Sequence, residues 1–310
     1  MSPGPLTRLG GSRGPEPGTD RPPAPFVVGL TRSGTTLLRM MLDAHRELTV
    51  PPETHFVPDL IQATRKSGDP GEMLVAITSN RTWGDFGIEE GEMLRRLQEI
   101  ERGDAAEAVR AFFDAYAERQ GKPRWGDKTP AYMLSVRRIG RTLPESRFIH
   151  LIRDGRDVSL SQRARALNEQ PSPAEQAARW AKRIRKSREQ ALTLKGARYV
   201  ETRYEDLVRD PEATLRRICE FVDLPWDAGM LSYHERAGER LTEMAGELRA
   251  VGSHSGQEAG YRVDNHAPTT RPPDPSKLDK WKREMPAEDV AAYEAVAGDL
   301  LAELGYEMGS

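Results

Sequence analysis

Apolar residues along the chain alternate between short continuous runs and helically spaced sets. Phe26-Val27-Val28-Gly29, directly after Pro25, reads as a buried strand. The Gly/Ser/Thr turn after it leads into Thr35–His45, where Leu37, Leu38, Met41 and Leu42 fall at helical spacing. A second short strand is expected at Leu48–Val50, ending at Pro51-Pro52. Residues 55–120 read as several helices, among them Ala105–Gln120, with a loop around Trp83–Gly87. That stretch is too long for a simple crossover and is expected to be an inserted helical cap. The strand pattern resumes at Arg147–Ile152 and again at Tyr199–Thr202. Helices are expected near Asp157–Ala166, Ala174–Leu194 and Pro211–Val222, and a final helical pair from Ser276 and Pro286. Residues 238–276 are rich in Gly, Ser, His and Pro and read as a long loop that orders on binding. Strands alternating with helices predict an α/β fold, a parallel sheet with helices on both faces. No internal repeat is present.

Composition narrows this picture. The 310 residues suit one α/β domain, and a formal net charge of −2 argues against bulk nucleic-acid binding. Cys219 is the only cysteine, so no intrachain disulfide forms, and its place in a helical stretch suggests packing. No apolar run approaches the roughly 20 residues needed to span a bilayer. Nor does residue 1 lead into an apolar stretch like a secretory signal, so a cytoplasmic location is expected. Residues 1–24, dominated by Pro and Gly, are expected to be a disordered leader to a single domain at 25–310.

Gly29-Leu30-Thr31-Arg32-Ser33-Gly34-Thr35-Thr36 has the glycine spacing of a Walker A loop, between a strand and a helix. Such a loop converges backbone N–H groups on an anion at a helix N-terminus. Thr35 stands where a nucleoside triphosphatase needs lysine, which argues against Mg-dependent hydrolysis. Arg32 instead places a planar, permanent cation inside the loop, suited to a phosphosulfate. Arg-Ser-Gly-Thr-Thr directly after a strand resembles the 5′-phosphosulfate loop of PAPS-dependent sulfotransferases (PAPS is 3′-phosphoadenosine-5′-phosphosulfate). The resemblance is closest to the branch containing tyrosylprotein sulfotransferases and many bacterial sulfotransferases. It runs over most of residues 26–285 through separated motifs in the same order. It implies a P-loop-like sheet, PAPS as donor, PAP as product, no metal, and Arg32, Ser33, Gly34, Thr35 and Thr36 around the phosphosulfate.

Arg153 ends a strand, and Ser161 and Arg165 follow it on what should be one face of a helix. A hydroxyl and two guanidiniums at the carboxyl edge of a sheet suit a phosphate dianion. The resemblance assigns Arg153 and Ser161 to the 3′-phosphate, with Arg165 matching the tyrosylprotein branch. Arg156 and Arg163 read as solvated surface residues. Tyr204 matches a family position near the same phosphate, and a core tyrosine is the alternative.

At the acceptor end, a hydroxyl that attacks sulfur must lose a proton, and charge on the bridging oxygen needs fixed cations. Glu53, after the second strand, should lie near the carboxyl edge of the sheet. The tyrosylprotein branch carries its catalytic glutamate in a comparable motif, which implies Glu53 as general base. His55 is the competitor for that role, or a residue that orients the substrate. The remaining histidines show no metal-ligand spacing. Lys128, in Trp125-Gly126-Asp127-Lys128-Thr129-Pro130, matches a family lysine that contacts the transferring group. With Arg32 it would stabilise the leaving oxygen. Arg271 matches a basic residue of a loop that closes over the nucleotide, and Ser253 or Ser255 is expected to join it. The expectation is a sulfotransferase acting on a hydroxyl of a small molecule, lipid, glycan or peptide. The rivals are a P-loop nucleotide kinase or NTPase and a non-catalytic PAP(S)-binding module.

Overall fold

In the computed structural model the described residues are 7–8, 20–164, 171–243 and 267–309. Thr7–Arg8 (β1) precedes the central strand Ala24–Gly29 (β2). Every residue of β2 is buried, as expected of a strand covered on both faces of a parallel sheet. Thr35–Asp43 (α1) follows the loop, and Leu48–Thr49 (β3) follows α1. The helical insertion comprises Val57–Lys66 (α2), Pro70–Thr78 (α3), Glu90–Gln98 (α4) and Ala105–Arg119 (α5), with one 3₁₀ turn at Trp83–Phe86. Two short strands, Arg124–Trp125 (β4) and Asp127–Lys128 (β5), lead through a 3₁₀ turn at Pro130–Leu134 into Val136–Thr142 (α6).

Ser146–Ile152 (β6) and Gly155–Arg163 (α7) form the next strand–helix unit. Pro173–Ala191 (α8) begins with a capping box in which Ser172 and Glu175 satisfy each other's backbone N–H. Tyr199–Arg203 (β7), Tyr204–Arg209 (α9), Pro211–Phe221 (α10) and His234–Thr242 (α11) follow, and Trp281–Glu284 (α12) and Ala287–Glu303 (α13) come last. The main sheet has the order β1-β7-β6-β2-β5. All its pairings are parallel except β1 with β7, and Phe26 lies opposite Phe148 across β2 and β6.

Strand alternation divides the core in two. Phe26, Val28 and Phe148 face α2, α5, α6, α8 and α13; Val27, Ile149, Leu151 and Val200 face α1, α10 and α11. The insertion is not a loose cap. Phe56, Phe86 and Phe112 meet edge-to-face at 4.7–6.1 Å between centroids, the geometry aromatic quadrupoles favour. Cys219 is buried beside Met230, and burial pushes its thiol up to about 11, in keeping with a packing role. No helix among the described residues is long and apolar enough to cross a membrane.

Several expectations need correction. β3 does not join the main sheet; it pairs in parallel with β4 as a separate ribbon. The Asp43 carboxylate sets this by accepting from Val50 N–H and Thr49 Oγ1, which turns the chain back at the end of α1. Thr7 and Arg8 pair with Glu201 and Val200, and β2 begins at Ala24, so the expected leader contributes to the sheet. The expected loop at 238–276 starts inside α11, and the helix expected from Ser276 forms only at Trp281. Ser253, Ser255 and Arg165 lie outside the described residues. Arg156 is no surface residue. It is fully buried, 2.7 Å from Asp154, paired to Glu294 and stacked 3.4 Å over the Trp281 ring. The helix α13 covers a face of α7 that local periodicity could not reveal. Arg163 reaches the same helix, pairing with Asp289 at 2.6 Å.

Candidate active site

The carboxyl ends of β2, β5 and β6 open into a cavity of about 660 Å³. Its floor is the loop 29–36. Arg32 and Gly34 adopt left-handed φ of 75° and 87°, which turns the loop back beneath its own amides. A side chain at Gly34 would strike the Tyr204 ring at 2.2 Å, and one at Gly29 the Leu151 carbonyl at 2.6 Å. Both glycines are therefore required by close approach. The Arg153 guanidinium lies 4.8 Å from the Tyr204 ring centroid, over its face, which ties Tyr204 to the loop and to β6.

Two buried polar atoms in this region have no hydrogen-bond partner among the described residues: Ser33 Oγ and Arg153 Nε. Such groups are costly unless something binds them. Arg153 otherwise donates to the carbonyls of Arg32 and Lys277, at 3.3 and 3.1 Å, and sits 3.4 Å from Asp157. Arg32 Nε donates to Ser161 Oγ at 3.1 Å, so Arg32 links the loop to α7. These groups fit an anionic ligand running from the N-terminus of α1 to the start of α7.

Glu53 and His55 line the same cavity. Lys128 Nζ lies 2.5 Å from Glu53 Oε1 and 3.4 Å from Thr36 Oγ1, and His55 Nε2 lies 3.0 Å from Glu53 Oε2. Lys128 is buried to 1%, whereas the Glu53 side chain keeps 26% of its exposure. Burial alone would raise the Glu53 carboxyl; the Lys128 ammonium and the His55 ring overcome it and hold it well below the usual carboxylate range. Among the described residues no cluster of three or more His, Cys, Asp or Glu could hold a metal ion.

The sequence model of the sulfotransferase family matches residues 23–228, two-thirds of the chain. The chain belongs to the sulfotransferase family. Protein-tyrosine sulfotransferase 1 of Danio rerio is 27% identical over 293 residues, which cover 92% of this sulfotransferase and 72% of that one. Protein-tyrosine sulfotransferase A of Caenorhabditis elegans is 26% identical over 286 residues, 91% and 67% of the two chains. The sulfotransferase domain of the Synechococcus PCC 7002 olefin synthase superposes with a TM-score of 0.56 at 26% identity, covering 95% and 99% of the two chains. The sulfotransferase domain of the curacin biosynthetic pathway superposes with a TM-score of 0.60 at 21% identity, covering 94% and 100%. This last likeness shows the shared fold.

Of the residues expected at the site, Arg32, Gly34, Thr35, Thr36, Glu53, His55, Arg153, Tyr204 and Arg271 line the cavity. Ser33 and Lys128 are buried behind its wall, and Ser161 is reached through Arg32. Tyr233, which no local pattern in the sequence marks, donates to the Arg271 carbonyl at 2.6 Å and anchors the segment 267–274 that forms the opposite wall. Arg39 is a second residue outside the expected set. It is fully buried in α1, donating to the Val50 carbonyl at 2.9 Å just before the segment that carries Glu53. Its place in the same helical turn as the apolar Leu42 was the available signal.

Proposed function

We propose that this sulfotransferase takes its sulfuryl group from PAPS and passes it to a hydroxyl acceptor, with Glu53 as the general base. One observation carries the reading: Glu53 and His55, backed by Lys128, line the same cavity as Arg153, and Arg153 Nε, like Ser33 Oγ in the loop behind the wall, has no hydrogen-bond partner among the described residues. The Ser33–Thr36 turn would hold the 5′-phosphosulfate and Arg153, with Ser161, the 3′-phosphate; Tyr204 packs beside them. PAPS supplies an activated sulfuryl group whose leaving group is a phosphate.

The residues divide the remaining work. Lys128 and Arg32 offer cations to the charge that develops on the bridging oxygen. Glu53 is a weak base while Lys128 is bound to it. When Lys128 turns toward the donor, Glu53 loses its nearest cation and its carboxyl rises toward the ordinary range, ready to accept the acceptor's proton. His55 then remains to orient Glu53 or the acceptor. The acceptor is a hydroxyl of a small molecule, lipid, glycan or peptide; the tyrosine in the relatives' names makes a phenol the natural first probe.

Calorimetric titration tests the donor. PAP is expected to bind without Mg²⁺ and at least about tenfold more tightly than ATP, because the loop offers no lysine to a triphosphate. Equal affinities, or a strict metal requirement, would overturn the assignment.

A further inference from the structure

Two neighbouring residues of β5 grip two neighbouring residues of the segment that bears the base. Side chains of a strand point alternately to opposite faces. Lys128 takes one face and pairs with Glu53. Asp127 takes the other, and its Oδ1 accepts from Thr54 Oγ1 at 2.8 Å and from Thr129 Oγ1 at 3.2 Å. Asp127, Thr54 and Thr129 are fully buried.

The rest of the segment is held the same way. Thr54 N–H donates to Thr129 Oγ1 at 3.0 Å, and Val57 N–H to the Tyr132 hydroxyl at 2.9 Å. The Tyr132 hydroxyl also meets Thr54 Oγ1 at 2.8 Å. On the other side, Thr82 Oγ1 donates to the Glu53 carbonyl at 3.0 Å and Asn80 Nδ2 to the Thr54 carbonyl. The segment is neither helix nor strand, and His55 within it has a left-handed φ of 53°. Side chains thus do what a helix or sheet ladder does elsewhere: they satisfy the backbone and define its course.

We propose that Asp127 and Thr54 are positioning residues that fix Glu53 within reach of Lys128 and of the acceptor. Lys128 sets the charge of the carboxylate from one face of β5, while Asp127 sets the place of its backbone from the other. Neither Asp127 nor Thr54 lines the cavity. They act through the chain that carries the base, where a displacement of about 1 Å is enough to cost on the order of a hundredfold in rate. The inference rests on the reading of Glu53 as the base.

The test uses the full chain with D127A, D127N and T54V. Amide exchange at residues 54–57 is expected to accelerate about tenfold or more in D127A and T54V, with amides of β2 and β6 unchanged. PAP affinity should stay within about threefold. PAPS turnover with p-nitrophenol, followed as PAP release, should fall by about tenfold or more at a nearly constant KM for PAPS. D127N, which keeps an oxygen for Thr54, should restore most of both. Unchanged exchange in D127A and T54V, or a D127N variant no better than D127A, would overturn the proposal. Failure of the unsubstituted protein to bind PAP would sink the donor reading instead, and the exchange result would still decide whether Asp127 holds the segment.

Discussion

Glu53 is flanked by a lysine at 2.5 Å and a histidine at 3.0 Å, and these neighbours suppress the basicity that the proposed reaction requires. A substitution that keeps the shape and removes the proton acceptor separates binding from chemistry. In E53Q, turnover is expected to fall by about 10²–10⁴, the range of a lost general base, with PAP affinity kept within about threefold. Lys128, freed of its counter-ion, should hold PAP at least as well. Parallel measurement of kcat and of PAP titration checks this; normal turnover would move the base role to His55 or to the acceptor. Most residues gathered around the cavity were legible in the sequence, because a glycine-spaced loop, a strand-end arginine and a lysine-bearing turn each need particular residue types at particular spacing. Asp127, Thr54 and Arg39 were not, since buried polar residues acquire their roles from partners far along the chain. Asp127 finds Thr54 across 73 positions, and no local pattern announces such a contact.

At the scale of elements, the helix α1 that follows the loop 29–36 is held to its surroundings by buried charge. Asp43, at the end of α1, pairs with Arg240 of α11 at 2.7 Å, and its carbonyl accepts from Lys122. Arg39 lies 3.5 Å from Glu243, and Arg240 donates to the Tyr116 hydroxyl of α5 at 2.9 Å. Burial would raise the Asp43 carboxyl, but Arg240, Lys122 and Arg39 bring it below its ordinary value. Breaking one side of such a cluster strands the other in a dry site. R240A is therefore expected to destabilise the protein by about 3–5 kcal/mol in denaturant melts, and D43N/R240A by less than the sum of its single changes. Additive effects would show that the cluster is not coupled. Most of the strands and longer helices were readable from apolar spacing, with ends off by up to three residues, whereas β5, α6, α9 and α11 were not expected and the helix expected from Ser276 begins at Trp281. The ribbon formed by β3 and β4, the buried Arg156 and the pairing of β1 were not readable either. Each depends on an element distant in sequence: Lys122 reaching Asp43 and Leu48, α13 covering α7, and β7 offering an open edge.

Across the whole molecule, buried carboxyl groups pull stability in opposite directions as pH changes. For Asp127 and Glu205, burial outweighs every local hydrogen bond and pushes each carboxyl up to about 7. Each prefers the folded state when protonated, so its contribution is whole below the ordinary carboxylate value near 4 and is lost as pH rises through about 7. Asp43, Glu53 and Glu201 behave oppositely. Burial opposes their charged forms too, but Arg240, Lys128 and Arg188 outweigh it, and the Glu201 carboxyl settles at about 2. Their contribution is present above the ordinary carboxylate range and lost as the solution is acidified. The two ranges meet at the ordinary carboxylate value: below about pH 4 the second set is being lost and above about pH 5 the first, so the melting temperature is expected to peak between about pH 4 and 5. Asp127 and Glu205 contribute to the decline on the alkaline side, together with Asp157 and Glu243, whose carboxyls burial also raises. A D127N/E205Q variant should therefore lose less stability than the parent between about pH 5 and 8, while its acid limb stays unchanged. Thermal melts of both proteins across that range check the sign; parallel alkaline limbs would show that these two carboxyls do not set it.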